Sequence, residues 1–175
     1  LEGWIFSPTQ PASSMAIYAR TAGGTTSATN IGHYLRVNCQ GVVQFSQQGI
    51  QVELTTPLST VVANTWHHIV GTWNGSYQNI WVDAPLVASQ AQTMPMCSDI
   101  GVAGGSHIGW GRSDTLGNNF LGRIHEVAIY PTALSSSQIV THYQTGVGSG
   151  AVIATQGERW DNFQWDNAGT VTIRA

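Results

Sequence analysis

Residues 65–87 read TWHHIVGTWNGSYQNIWVDAPLV, and the alternation on either side of Asn74-Gly75 constrains this stretch to a β-hairpin. Before the turn His67, Ile69, Gly71 and Trp73 alternate with Trp66, His68, Val70 and Thr72; after it Ile80 and Val82 alternate with Trp81 and Asp83. Asn and Gly both tolerate the positive φ that a tight turn demands, and the connection through Gln78 exceeds the two-residue minimum. With Gly71 opposite Trp81, Trp73 and Trp81 share one face of the hairpin.

Short strands and frequent turns recur along the chain. Leu1–Phe6 is a strand stopped by Ser7-Pro8; Ser14–Arg20, Tyr34–Val37, Val42–Phe45 and Gln51–Leu54 follow, with a Gly- and Thr-rich loop over residues 21–30. Ala84-Pro85 breaks the hairpin's second strand, Val87–Gln92 resumes it, His107–Trp110 is a strand, and Phe120–Tyr130 is another, with an irregularity near Glu126. This spacing predicts an all-β sandwich or barrel. One helix is predicted near residues 135–144, opened by a Ser135/Gln138 capping box and stopped by Gly146. The domain then spans residues 1–146, a Gly/Ser-rich linker 147–157, and a tail 158–175 holding an unassigned strand over Thr170–Ile173.

Composition narrows the setting. Charged residues are 9% of 175, against ~25% in an average soluble protein, and lysine is missing altogether. Six arginines scattered singly and a net charge of −3 give no basic patch, so nucleic acid and anionic membranes are excluded as partners. No apolar run reaches the ~18 residues of a membrane span, and the opening on Leu1 without a basic, apolar leader reads as a mature product or an excised piece. A neutral surface rich in hydroxyls and amides points to an extracellular or surface location. There, Cys39 and Cys97 could form one disulfide, or stand as two separate thiols.

The blocks LEGWI, NTWHHIVGTWNGS, IWVDAPLVAS, HIGWG and FLGRIHEVAIYPTALSSSQIVTHY, in that order, resemble the laminin-G-like and pentraxin-related branch of the concanavalin A-like lectin/glucanase superfamily. The resemblance runs from Leu1 to about Thr145. It implies two stacked antiparallel sheets in a jelly roll, with a short helix after the closing strand. It also implies core positions for Trp4, Trp66 and Val82. The family usually carries an acid where His125 stands and a Gly after Asp83, where this chain has Ala84-Pro85. Calcium is the one cofactor that the resemblance leaves open. It is not favoured, because Asp83, Asp99 and Asp114 are dispersed and His125 is a poor ligand for a hard cation. The family normally has a strand before the Leu1–Ile5 block, so the tail strand is expected to fill a gap beside Leu1–Phe6, within one chain or in a neighbour.

Catalysis is not expected. Glycosidases of this fold place paired carboxylates at alternate positions of one strand, whereas Glu2, Glu53, Glu126 and Glu158 each lack an acid two residues away. His67 and His68 are neighbours in a strand and point to opposite faces, so they cannot chelate one ion. Aromatic residues are the better recognition candidates. Trp110, between glycines and before the Arg112–Asn119 loop, leads with Arg112 and Asp114, and Trp73 and Trp81 form a second candidate sugar platform. Asn74-Gly75-Ser76 also fits the N-glycosylation pattern. Two functions follow. One is a non-catalytic recognition or adhesion module binding glycan or extracellular protein. The other is a structural subunit that polymerises through its tail, with Trp160, Trp165, Thr170, Val171 and Ile173 as contacts.

Overall fold

The computed structural model describes residues 1–21, 31–46, 52–93, 105–109, 119–156, 164–165 and 171–172. Its strands are β1 (Glu2–Phe6), β2 (Met15–Thr21), β3 (Ile31–Val37), β4 (Val43–Ser46), β5 (Leu54–Thr55), β6 (Trp66–Trp73), β7 (Tyr77–Val82), β8 (Leu86–Ala91), β9 (Gly105–Ile108) and β10 (Arg123–Ala128). The helix α1 (Ser136–Gln156) follows, then β11 (Gln164–Trp165) and β12 (Val171–Thr172). Two five-stranded antiparallel sheets, ordered β10-β1-β6-β7-β8 and β5-β4-β3-β2-β9, form the sandwich expected from the sequence.

One side chain in two faces inward along most strands. Ile5, Ile69, Ile80 and Val82 of the first sheet meet Ile17, Leu35, Val37, Val43, Phe45 and Leu54 of the second in one buried cluster. Gly71 of the first sheet faces Phe45 of the second: a Cβ on Gly71 would lie 2.4 Å from the ring. The Glu126 irregularity is also present. Glu126 has φ 52°, and the β1–β10 register shifts between Glu2 and Trp4.

The predicted hairpin is β6–β7. Asn74 Oδ1 accepts from the backbone N–H groups of Ser76 (3.0 Å) and Tyr77 (2.8 Å), and Trp73 pairs with Gln78 as the last rung. At its base, His67 Nδ1 donates to Asp83 Oδ2 (2.7 Å), His67 Nε2 accepts from the Val62 amide (3.2 Å), and Asp83 Oδ1 accepts from the His68 amide (2.9 Å). Those bonds explain the WHH and WVD blocks: they lock strand to strand. The following turn carries Asp83 at φ 54° and Ala84 at φ 84°, where the family's usual glycine would sit without strain. Ala84→Gly is therefore expected to raise stability by about 1 kcal/mol, read as a higher urea midpoint at unchanged slope.

The capping box forms as expected: Ser135 N donates to Gln138 Oε1 (2.9 Å) and Gln138 N donates to Ser135 Oγ (3.3 Å). The end of the helix does not. α1 passes through Gly146 and the stretch read as a linker, to Gln156. Gly146 is retained for packing rather than termination, since a Cβ there would lie 2.2 Å from Trp4 Cζ2. Trp4 stacks on His68 (5.0 Å between centroids) and on Tyr143 (5.8 Å), so α1 lies against the outside of the first sheet. In a free helix Gly146→Ala would gain about 1 kcal/mol from propensity. Here it is expected to lower the melting temperature instead, because the methyl displaces the Trp4 ring.

Two expectations about aromatics and edges are corrected by the register. Trp66 is 37% exposed, on the outer face against Phe6 and His125, rather than in the core. β1 is flanked on both sides, by β10 and β6, so no gap opens beside Leu1–Phe6 for a tail strand to fill. The tail strand β12 pairs with β11 instead.

Candidate functional site

The two faces of the sandwich are differently occupied. On the first sheet, Glu2 lies beneath α1 and gathers donors: Tyr130 Oη (2.6 Å), His142 Nδ1 (3.0 Å) and the His68 ring, whose Nε2 is 3.3 Å away. Burial by itself would raise the Glu2 carboxyl. Hydrogen bonds from His68, Tyr130 and His142, with the His142 charge, outweigh it and hold the pKa at about 2. The bond to Glu2 foremost, then burial, pushes the Tyr130 hydroxyl up to about 12. This cluster ties the helix and the segment after β10 to β1, which is a structural task.

The outer face of the second sheet is built differently. Alternation turns Leu35, Val37, Val43 and Phe45 inward, and so turns Tyr34, Arg36 and Gln44 outward on neighbouring strands, with Arg36 directly opposite Gln44. Glu53, next to the inward Leu54, joins them from the start of β5. Arg36 Nη2 donates to Glu53 Oε2 (2.7 Å), Gln44 Nε2 donates to Glu53 Oε1 (2.6 Å), and the Tyr34 hydroxyl donates to Glu53 Oε2. The guanidinium lies 4.6 Å from the Tyr34 ring centroid. Burial above all, then the bond to Glu53, pushes the Tyr34 hydroxyl pKa upward, so it remains a donor.

Among the described residues, one donor and one acceptor of this network are unsatisfied. Arg36 Nε and Gln44 Oε1 are buried atoms with no hydrogen-bond partner among the described residues. Arg36 and Glu53 keep 21% and 20% side-chain exposure, so the network reaches the surface. Ala16 and Ala19 lie beside Tyr34 in one buried group. The sequence signal for this site was Tyr34 and Arg36 two residues apart in a strand. Glu53 carried none, because it reaches them only through pairing across β4.

The residues singled out from sequence are differently placed. Trp110, Arg112 and Asp114 lie outside the described residues, as do Cys97, Asp99, Trp160, Thr170 and Ile173. Trp73 and Trp81 do not share a face. Val70, not Gly71, stands opposite Trp81, and Gly71 faces Ile80, so Trp73 lies on the inward side and Trp81 on the outward side. A one-residue difference in register exchanges the faces. Trp73 Nε1 donates to the Gln92 carbonyl (2.9 Å). Asn74 is exposed at the hairpin tip with its carbonyl engaged in the turn, and Cys39 is an exposed free thiol. Trp165 and Val171 are partners in the β11–β12 pair. Asp83 is held by His67 and the His68 amide, and no group of three metal-ligating side chains occurs among the described residues. No described helix is long and apolar enough to cross a membrane.

Two antiparallel sheets, one covered by a helix and the other carrying an outward polar network, define a jelly roll of the lectin-like class. The chain belongs to the laminin G family of the concanavalin A-like lectin/glucanases superfamily, whose family model matches residues 1–140. No curated protein matches it. Among solved structures it is similar to the CBM40 module of a Ruminococcus gnavus IT-sialidase bound to α2,3-sialyllactose (14% identity, TM-score 0.65, 81% of this chain and 80% of that one). A Bacteroides ovatus protein provisionally described as carbohydrate binding is similar at 18% identity and TM-score 0.58, over 79% of this chain; this chain spans 38% of its length. A heptameric SAP-like pentraxin from Limulus polyphemus is similar at 15% identity and TM-score 0.56, over 81% of this chain and 67% of that one.

Proposed function

We propose that this chain is a non-catalytic glycan-binding module of an extracellular or surface protein, and that its ligand face is the outside of the second sheet. The observation that carries this reading is the outward network of Tyr34, Arg36, Gln44 and Glu53, in which the Arg36 and Glu53 side chains keep 21% and 20% exposure. A partly exposed guanidinium–carboxylate pair can both give and accept hydrogen bonds with sugar hydroxyls, and the strands fix its geometry. Lectin-like and carbohydrate-binding relatives with the same fold support the reading. Glu53 accepts from three groups on this face, which suits a positioning carboxylate better than a general acid or base. Trp110, Arg112 and Asp114 follow directly on β9, the edge strand of this sheet, and are proposed as further contacts.

Glycan-array binding by the intact chain, compared with Arg36→Ala, tests the proposal. Binding is expected to weaken at least about tenfold, as one charge-assisted hydrogen bond is worth ~1.5–3 kcal/mol. An Arg36→Ala protein with native circular dichroism and unchanged glycan binding would sink it.

A further inference from the structure

We infer that the outer face of the first sheet carries a second sugar site, an aromatic platform centred on Trp66 and completed by Arg123 for a ring that bears a carboxylate. This goes beyond the reading above, which concerns the opposite face of the sandwich. Phe6 is the direct cross-strand partner of both Trp66 and Arg123, so the three side chains form one row across β10, β1 and β6. Their neighbours Ile5 and Ile124 belong to the core, so this row points outward. The next outward row pairs Trp4 with His68 and His125. α1 covers that second row at Trp4, through Tyr143 and Gly146, yet Trp66, Arg123 and His125 all remain exposed.

The exposed indole is held rather than loose. Its ring lies 5.6 Å from Phe6 at a 45° tilt and 5.3 Å from His125 at 77°, so neighbours on two strands fix its orientation. A fixed, solvent-facing indole offers its π-surface to the C–H groups of a pyranose. Arg123 sets the class of sugar. Its guanidinium stands 5.7 Å from the Phe6 centroid, and no carboxylate pairs with it among the described residues. Glu126, the one acid on β10, sits at the bulge with φ 52° and makes no ion pair with it. Arg36 differs in this respect, since Glu53 already holds it at 2.7 Å. A free guanidinium takes a carboxylate through two parallel N–H···O bonds, and Arg123 is separated from Trp66 by Phe6 alone, within the span of one or two sugar rings.

The test applies the full chain to a glycan array of matched pairs, uronate- or sialate-terminated glycans beside their neutral counterparts. Wild type is expected to bind at least one carboxylated member at least about tenfold tighter than its counterpart. Arg123→Gln should remove that preference, and Trp66→Ala should weaken the same glycan by about fivefold or more. Arg36→Ala should leave it within about twofold, because the two faces act separately. A wild-type protein that favours no carboxylated glycan overturns the inference, as does a folded Arg123→Gln protein with the wild-type preference. Binding of every glycan that depends on Arg36 and not on Arg123 also overturns it, while leaving the reading of the second sheet intact. Binding that depends on Arg123 and not on Arg36 supports it even as that other reading fails. Should Trp66→Ala lose its fold, Arg123→Gln on the exposed edge strand still decides.

Discussion

Gly71→Val is expected to destabilise the protein by about 3 kcal/mol, at the upper end of the range for overpacked cores. The Cβ alone would stand 2.4 Å from Phe45 Cδ2 and 2.7 Å from Cε2, closer than any carbon pair tolerates, and the ring has little room to retreat. Phe45 is 5% exposed and packed among Val43, Leu54, Ile69 and Ile80. Phe45→Ala by itself should cost ~3–5 kcal/mol through the cavity it leaves. The informative measurement is the double variant in a urea-denaturation cycle. If the valine fills the space vacated by the ring, the two losses should fall short of additivity by at least ~1 kcal/mol. Strict additivity would show that the two sheets do not meet at this point.

Glu2→Ala is expected to cost about 3–5 kcal/mol at pH 7 and to loosen α1 from the first sheet. Removing the carboxylate leaves the buried His68 ring and the donors of Tyr130 and His142 without their shared acceptor. The wild-type protein should show the same loss under acid. The folded carboxyl sits at about 2, below its ordinary 4.5, so its contribution is complete above 4.5 and disappears as pH falls from there toward 2. Urea midpoints taken between pH 6 and 2 should therefore fall for wild type and stay flatter for Glu2→Ala. Parallel curves for the two proteins would mean that the cluster does not hold the helix.

Much of the sandwich was legible in the sequence because it depends on local chemistry. The Asn74-Gly75 hairpin, the Ser135/Gln138 cap and the Glu126 bulge each follow from residues close in the chain, and all three form. What was misread depends on register or distant packing. The Trp73–Trp81 pairing turned on whether Gly71 or Val70 stood opposite Trp81, a choice made by the exact length of the turn. Gly146 looked like a helix stop because glycine usually is one there, and only Trp4, 142 positions earlier, explains why the helix needs a residue without a side chain at that point. The Arg36–Glu53 network joins strands 17 residues apart through a third, and no spacing rule on a single sequence finds such a triple. It is legible only in the weak form of polar residues at alternate strand positions.

The placement of β1 has a consequence for how the molecule is made. β1 lies inside its sheet, between partners that begin at residues 66 and 123. During synthesis it must therefore wait until Arg123–Ala128 has been made before its second neighbour can pair with it. Until β10 arrives, one edge of β1 offers open backbone groups, and Ile5 belongs to a core that is not yet closed. Pairings of such long sequence separation belong to proteins that fold in milliseconds to seconds rather than microseconds. β1 is thus made well before the neighbour that secures its second edge.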